Sequence, residues 1–438
     1  MEVDHYLHRL SRTDPIRVRG KVTQVVGLVI EGKGPPMAIG DLCRLLSKEG
    51  KTHAVAEVVG FRDKNLLMMA LGETNGLEPG SILEPLGREA TVAVGEDLLG
   101  RVIDPLGEPL DGKGPVREEA RYPLYAEPLN PLQREEITDP LDVGVRVING
   151  LLTCGRGQRM GIMAGSGVGK SMLLGMIARH TSADVNVIAL IGERGREVKE
   201  FINRDLGEEG LRRSVVVVAT SDRSPLIRMR GAFVATAIAE FFRDQGKDVI
   251  LMMDSLTRFA MAQREIGLSV GEPPTTRGYT PSVFALLPRL LERAGPVHGR
   301  GSITGFYTVL VEGDDMNEPI ADASRAILDG HIVLTRELAS QGHYPAVDVL
   351  QSLSRLMIHV VEEEHMKYAQ KLIDLLATYK RSEDLVTIGA YTRGSNPKLD
   401  RALDKLDRIL AYLRQDYRER VDLQRSVEEL KEIFADEV

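Results

Sequence analysis

The chain has 438 residues, of which 43% are hydrophobic and 27% charged, and its formal net charge is −8. This length predicts two to four domains, and this composition is typical of a soluble globular protein. The acidic balance argues against nucleic acid as a partner, because binding to a phosphate backbone needs a basic surface.

Targeting and redox signals point to the cytoplasm. Cys43 and Cys154 stand alone, without a CxxC pair or a Cys/His cluster, which argues against a disulfide framework or a zinc site. No 18-residue apolar run is present that could span a membrane. The N-terminus mixes charged and apolar residues from its start and does not resemble a signal peptide.

The first 85 residues contain two kinds of pattern. Apolar residues follow helical spacing near the N-terminus, so we predict an amphipathic helix over residues 1–14, either a decoration or a docking element. Residues 15–85 hold short runs of Val, Ile and Leu punctuated by glycine, and these predict a small β-barrel.

Residues 86–355 are predicted to form a central α/β domain. Its first part, to about residue 150, is rich in proline and glycine and is interpreted as a long surface connection. Beyond it, apolar strands alternate with helical stretches, the pattern of a parallel sheet with helices on both faces. The strand sequences are GQRMGIMAG, VNVIALIGE, SVVVVATS, DVILMMD and ITGFYTVLVEG.

Residues 356–438 are predicted to form a helical C-terminal domain. Leucines there repeat at alternating spacings of four and three, at Leu399, Leu403, Leu406, Leu410 and Leu413. We interpret this stripe as one face of a packed helical bundle rather than as a free coiled coil.

The strongest functional motif is MAGSGVGKS, which follows a predicted strand and opens a predicted helix. Its glycines let backbone N–H groups turn towards phosphates, Lys170 would contact the β- and γ-phosphates, and the Ser171 hydroxyl would ligate Mg²⁺. Ala164 replaces the first glycine of the usual pattern, a small departure. The predicted nucleotide-binding residues are Gly165, Ser166, Gly167, Val168, Gly169, Lys170, Ser171 and Met172.

Two further segments supply acidic residues after apolar strands. DVILMMD ends in Asp254, which we predict to order the Mg²⁺ shell. IGERGREVKEF supplies Glu193 at the end of a strand, where α/β sheets bind ligands, together with Arg194 and Arg196. Glu193 is a candidate for polarising water, and Arg194 for a contact with the γ-phosphate or with the residues that surround it; the alternative is a solvated run of charges.

The segments GERGREV and GHYPAVDVLQSLSRLM resemble the catalytic-type subunits of rotary ATPases and their relatives. This resemblance covers nearly the whole chain. It implies a β-barrel, an α/β P-loop core of the RecA-like type and a helical C-terminal bundle. It also implies that Glu193 positions the attacking water, Tyr344 packs against adenine, and Arg355 reaches a neighbouring subunit's γ-phosphate. Sites would then lie between the subunits of a homohexamer.

Three members of this superfamily are candidates. ATP-synthase catalytic subunits carry an acidic loop where this chain has Gly394, Ser395, Asn396 and Pro397. A hexameric RNA translocase would need a basic, aromatic barrel, whereas residues 16–85 contain one aromatic residue. Type III secretion ATPases, flagellar or virulence-associated, resemble the segments GPPMAIGDLCRL and GAYTRGSNPKLDRAL. The ending YRERVDLQRSVEELKEIF favours the flagellar branch.

Membership of that family implies an ATP-hydrolysing motor of protein export that uses ATP and Mg²⁺. The implied partners are a coiled-coil central stalk protein near residues 393–398, a stator-like regulator at the N-terminal helix, the export gate, chaperones and export substrates. The implied location is the cytoplasmic side of the inner membrane, at the export apparatus.

Overall fold

The computed structural model describes residues 18–87, 89–311, 313 and 315–437. The predicted N-terminal helix lies outside the described residues. Two compact units are present: the first holds residues 18–91 with 224–227 and 262–281, and the second holds the remainder. Each unit is built from separate segments of the chain, so the units do not correspond to the predicted domain limits at residues 14, 85 and 355. Those limits stay predictions.

The first unit contains a closed six-stranded barrel, as predicted. Neighbouring strands follow the order β1-β2-β5-β4-β3-β6 and pair antiparallel. Apolar side chains such as Ile30, Leu45 and Met68 fill its interior. The strands are β1 (Gly20–Val26), β2 (Val29–Lys33), β3 (Leu42–Leu46), β4 (Thr52–Arg62), β5 (Asn65–Ala70) and β6 (Ile82–Pro85).

The central sheet has nine strands, in the order β19-β18-β12-β17-β15-β13-β14-β8, with β16 paired to β17. All five strands predicted from sequence lie in it and run parallel. The remaining strands of the chain are β7 (Thr91–Val94), β8 (Arg101–Ile103), β9 (Ala120–Pro123), β10 (Pro140–Leu141), β11 (Cys154–Gly155), β12 (Arg159–Ala164), β13 (Val185–Ile191), β14 (Ser214–Ala219), β15 (Asp248–Asp254), β16 (Gly295–Pro296), β17 (Ser302–Leu310), β18 (Gly330–Leu334) and β19 (Leu353–Ser354).

Helices connect the parallel strands and form the C-terminal domain. Among the described residues, no helix is both long and apolar enough to cross a bilayer. The helices are α1 (Arg146–Leu151), α2 (Lys170–His180), α3 (Gly195–Glu200), α4 (Gly207–Arg212), α5 (Pro225–Asp244), α6 (Leu256–Val270), α7 (Pro281–Leu291), α8 (Pro319–Ile327), α9 (Arg336–Ser340), α10 (Met357–Val360), α11 (Glu363–Thr387), α12 (Pro397–Leu413) and α13 (Leu423–Glu432).

The prediction of a long surface connection up to residue 150 was wrong. Strand β8 extends the central sheet by pairing with β14, and Ile103 and Leu124 are fully buried. Arg101 is also buried and binds Asp111 through two nitrogens, at 2.7 and 3.0 Å. The prolines and glycines mark turns between short buried strands, which composition alone does not distinguish from an exposed linker.

The C-terminal helices form a packed bundle, as the leucine stripe suggested. Helix α11 packs against α12 and α13, and α1 of the core packs against all three. The buried positions of α12 are Leu399, Ala402, Lys405, Ile409, Tyr412 and Leu413. The first and last leucines of the stripe are thus buried, and the three between them, Leu403, Leu406 and Leu410, are half-exposed at the edge of the buried face.

Candidate active site

The phosphate-binding turn joins β12, which ends at Ala164, to α2, which begins at Lys170. Gly167 and Gly169 adopt φ angles of 78° and 93°, which L side chains rarely adopt. A Cβ at Gly169 would also lie 3.5 Å from the Tyr344 ring. The first N–H groups of α2 have no acceptor within the helix, so they are available to a bound anion.

Three charged side chains converge at the carboxyl ends of β12, β13 and β15. The Lys170 ammonium lies 2.5 Å from Asp254 Oδ1 and 3.6 Å from Glu193 Oε1. Burial alone lowers the pKa of Lys170, but the two carboxylates outweigh burial and the net pKa is raised. Lys170 therefore carries its charge in a site from which most water is excluded.

Strand β17 supports this cluster from between β12 and β15. Thr308 on β17 donates its hydroxyl to Asp254 Oδ1 at 2.8 Å, and Thr257 of α6 accepts from the Leu310 amide at 2.9 Å. Thr308 fixes the Asp254 carboxylate towards Lys170. Nothing in its sequence context, a largely apolar strand that contains a second threonine, distinguishes Thr308 from a core residue.

Glu193 has the most perturbed carboxyl group of the cluster. Burial first, and then the negative charge of Asp254, raise the pKa of Glu193 to about 7, against the opposing effect of Lys170. Glu197, which sequence reasoning missed, accepts a hydrogen bond from Glu193, and this bond lowers the pKa of Glu197. A proton held on Glu193 is therefore shared with Glu197.

A small cavity of about 20 Å³ lies beside these groups, with Ser171, Glu193, Glu197 and Asp254 among its lining residues. A cavity needs roughly 10–15 Å³ by this measure to hold one water molecule. The space thus admits a single water in contact range of a carboxyl group that has a near-neutral pKa.

A wider cleft of about 390 Å³ adjoins the phosphate-binding turn. Gly169 and Met172 of the turn and helix α2 form one side, and Tyr344 forms another. A third wall comes from the C-terminal domain and consists of residues 414–417 and Glu419. The sequence did not predict this wall, which includes Tyr417. Two half-exposed aromatic rings beside a phosphate site suit a planar base.

Two predicted site residues lie away from the cluster. The Arg194 side chain is 82% exposed and pairs with Glu197 at 3.7 Å, while Arg196 pairs with Glu200. The two arginines are thus solvated, as the alternative interpretation of this segment expected, whereas the Glu193 side chain is largely buried. The γ-phosphate contact of Arg194 stays a prediction.

Arg355 is exposed and follows β19, near the amino ends of the parallel strands. Ser354 pairs with Gly330 at the start of β18, whereas the phosphate turn leaves β12 beside Leu334. Gly330 and Leu334 are four residues apart on β18, so Ser354 and the start of the phosphate turn are separated by about 13 Å along the strands, at a rise of about 3.3 Å per residue. The Arg355 guanidinium instead donates to the Arg325 carbonyl at 3.1 Å.

A further arginine near the cluster was not foreseen. Arg258 lies in the first turn of α6, four residues after Asp254 at the end of β15. Its Nε is buried without a hydrogen-bond partner. Its Cβ would lie 3.0 Å from a Cβ built on Gly192, the residue before Glu193, so the glycine permits this close approach. A buried donor that lacks a partner is suited to an anionic ligand.

The side chains suit a magnesium–nucleotide complex rather than a free metal ion. Ser171 and Asp254 offer oxygen donors, which Mg²⁺ prefers. Within the described part of the chain, no group of three or more His, Cys, Asp or Glu side chains could hold a metal ion alone. Mg²⁺ typically binds through one or two protein oxygens, water and substrate phosphates, and this donor set fits that mode.

Three family models match the chain. The nucleotide-binding domain of the ATP synthase alpha/beta family matches residues 144–354, and the beta-barrel domain of the same family matches residues 22–87. The C-terminal domain of the T3SS EscN ATPase matches residues 361–432. Together with the cluster at Lys170, these matches define a P-loop ATPase built on the ATP synthase alpha/beta fold.

Known relatives specify the family within that class. A flagellum-specific ATP synthase of Bacillus subtilis is 54% identical over 440 residues, covering 100% of both chains. A type 3 secretion system ATPase of Xanthomonas euvesicatoria is 54% identical and covers 90% of this chain and 89% of its own. The chain belongs to the family of flagellum-specific ATP synthases and type III secretion ATPases.

A solved structure of that family has the same fold. It is the assembled ATPase EscN in complex with its central stalk EscO, from enteropathogenic E. coli. Its TM-score is 0.87 at 46% identity, and the match covers 95% of this chain and 100% of EscN. The expected barrel, P-loop core and helical C-terminal domain are thus confirmed.

The raised pKa of Glu193 predicts that nucleotide-free protein loses stability as pH rises from about 4.3, the value for an unfolded glutamate, towards 7. In this window the folded state binds more protons than the unfolded state, so the free energy of unfolding falls, by on the order of 1–3 kcal/mol. Thermal unfolding of wild type and E193Q across pH 5–8 measures this. E193Q should lack the decline, and the exposed-site control E200Q should keep it; parallel curves for E193Q and wild type would contradict the assignment.

Proposed function

We propose that this chain is the ATP-hydrolysing motor of a type III protein export apparatus and works as a homohexameric ring with a site at each subunit interface. The observation that carries the proposal is the water-sized cavity between Glu193, Ser171 and Asp254, next to a buried lysine. Family membership supports the same activity.

In the proposed site, phosphates bind to the amides of residues 165–172 and to Lys170. Their negative charge competes with Asp254 and Glu193 for the Lys170 ammonium, so the ammonium is released towards the phosphates. Ser171 and Asp254 would hold Mg²⁺, which supplies positive charge to the phosphate oxygens. Arg258 offers its unpartnered Nε to the same anionic region.

Glu193 is the proposed water-orienting residue. Its ionised carboxylate accepts a hydrogen bond from the attacking water and polarises it. When Glu193 is protonated, it donates that proton to a hydrogen bond with Glu197. Tyr344 and Tyr417 would enclose the adenine ring, which leaves the triphosphate directed along the glycine turn towards Lys170.

The remaining positive charge of the proposed site is the Arg355 guanidinium of a neighbouring copy of the chain. Within one chain, Arg355 lies near the amino ends of the parallel strands, about 13 Å along them from the phosphate turn at the carboxyl ends, so it does not serve its own nucleotide. Head-to-tail contacts between identical subunits close into a ring when the rotation permits, and each copy then lends Arg355 to its neighbour. EscN was also solved as an assembly.

For the branch, we propose a flagellar apparatus. The Bacillus relative of that type matches from end to end, whereas the Xanthomonas secretion relative covers less of both chains. Proposed partners are the export gate, chaperones, export substrates and a stator-like regulator bound by residues 1–14, with the ring peripheral to the inner membrane.

The central stalk is a proposed partner of the C-terminal domain. EscN was solved with its stalk EscO. In this chain the loop between α11 and α12 begins with Ile388, which is 75% exposed. This loop includes residues 393–396 of the predicted contact region, so it presents both apolar and charged groups to a coiled coil.

Single substitutions should separate binding from chemistry. E193Q should bind ATP with near-wild-type affinity but turn over at least about 10²-fold more slowly, since it keeps the shape and loses the acceptor charge. K170A should lose affinity as well as turnover. ATP titrations and steady-state rates of both variants, with E200Q as the control, measure this. Ordinary turnover by E193Q would remove Glu193 from the chemistry.

Complementation in mixed rings tests the shared site. K170A and R355A should each be nearly inactive, because an arginine finger contributes about 10³–10⁵ in rate. Mixing and reassembling them should restore activity, since some interfaces pair an intact phosphate turn with an intact Arg355. Mixing K170A with the K170A/R355A double variant is the control. If R355A alone hydrolyses ATP normally, or the mixture stays inactive, Arg355 does not act between copies.

Partner dependence distinguishes an export motor from an RNA translocase. The purified coiled-coil stalk protein of the same apparatus should raise the ATPase rate, and single-stranded RNA should not. I388E should reduce the stalk's effect and keep the basal rate, because the exposed loop is remote from the nucleotide. Stimulation by RNA, or no response to the stalk, would contradict the proposed coupling.

A further inference from the structure

Arg146 is a buried cation at the first turn of α1, only 8% exposed, and lies against the C-terminal domain. Its guanidinium carbon lies 5.9 Å from the centroid of the Tyr412 ring. Its side-chain partners are the carbonyl oxygens of Ala411 at 3.3 Å, Tyr412 at 3.4 Å and Arg414 at 3.1 Å, and the carboxylates of Glu419 at 3.1 Å and Glu429 at 2.7 Å.

These contacts place a positive charge at the carboxyl end of α12. The last carbonyl groups of a helix have no N–H partner within it, and the helix dipole makes that end negative. A guanidinium can serve several acceptors in one plane, which an ammonium cannot. Arg146 therefore caps α12 from a different part of the chain and fixes where that helix ends.

The residues that follow this cap form one wall of the 390 Å³ cleft, from Arg414 to Glu419. The Gln415 side chain accepts from the Arg146 amide at 2.7 Å and donates to the Gly144 carbonyl at 2.9 Å. The Gln415 amide donates to the Tyr344 carbonyl at 3.0 Å. The wall with Tyr417 is thus attached both to α1 and to the loop that carries Tyr344.

We propose that Arg146 is a positioning residue for the base of the nucleotide: by capping α12 it sets the distance between the Tyr417 wall and Tyr344. This inference rests on the proposed function, in which the base occupies that cleft. Arg146 touches neither the phosphate turn nor the Lys170 cluster, so its effect is confined to the base-binding side of the site.

The same connection runs outward through α12 into the helical domain. The cap holds the end of α12 and the cleft wall together, and α12 packs against α11. Arg146 therefore connects the cleft wall to the helical hairpin of α11 and α12.

Affinities for ATP and for inorganic tripolyphosphate test this on the full-length protein. Tripolyphosphate occupies the phosphate turn without a base, so wild type should bind ATP more tightly. R146M should weaken ATP binding by between about tenfold and 10²-fold, because a misplaced wall loses the stacking that an aromatic ring gives a base, and it should leave tripolyphosphate binding unchanged. R146K should lie between wild type and R146M, and kcat at saturating ATP should change less than KM.

A matched control separates positioning from folding. Arg101 is equally buried, at 8% exposure, and binds Asp111 and the Gly114 carbonyl far from the cleft in sequence. R101K and R146K should both lower the melting temperature, but R101K should keep the wild-type ratio of ATP to tripolyphosphate affinity. If R146M does not fold, E429Q removes one partner of the guanidinium and should shift the ratio in the same direction by a smaller factor.

The outcomes are distinct. If R146K and E429Q both keep the wild-type ratio of ATP to tripolyphosphate affinity, Arg146 does not position the cleft wall. Wild-type protein that binds ATP no more tightly than tripolyphosphate would instead overturn the placement of the base in the cleft.

Discussion

The site depends on the buried ammonium of Lys170 between the carboxylates of Asp254 and Glu193. Two carboxylates at low exposure repel each other and cost desolvation energy, and the lysine offsets both effects. The parallel sheet makes this possible, because strands β12, β13 and β15 end at one edge and bring residues distant in sequence together. In the proposed site, a triphosphate that takes up the Lys170 ammonium would change the charge balance of the whole cluster.

The sheet also explains why one chain holds two incomplete halves of a site. The phosphate turn lies at the carboxyl ends of the strands, and Arg355 lies near the opposite ends. One end of the strands therefore carries the phosphate turn, and the other end carries the Arg355 guanidinium. In the proposed ring, identical domains arranged head to tail bring the two together, and turnover is then coupled to assembly.

The C-terminal domain contributes more than a packing surface. Its residues after α12 line the cleft that is proposed to bind the base, and Arg146 of the core contacts that segment. The exposed loop between α11 and α12 lies at the other end of α12. Helix α12 thus connects the wall of the cleft to the surface proposed to meet the stalk.

The amino-acid sequence alone determined the parts of this protein that depend on local pattern. Strand and helix periodicity predicted the barrel, the parallel sheet and the helical domain, and the glycine turn with Lys170 and Ser171 was evident from spacing. The strand-ending carboxylates Glu193 and Asp254 followed from the rule that parallel strands present ligands at their carboxyl ends.

Tertiary structure alone decided which of the charged residues face each other. Glu193 and Arg194 are adjacent in sequence, yet one is buried against Lys170 and the other is exposed, because the chain turns between them. Thr308, Arg258, Tyr417 and Arg146 carry no local signal, since their roles arise from contacts across many residues. Likewise, the prolines before residue 150 could not reveal that β8 completes the sheet: strand pairing is set by long-range packing, which composition does not encode.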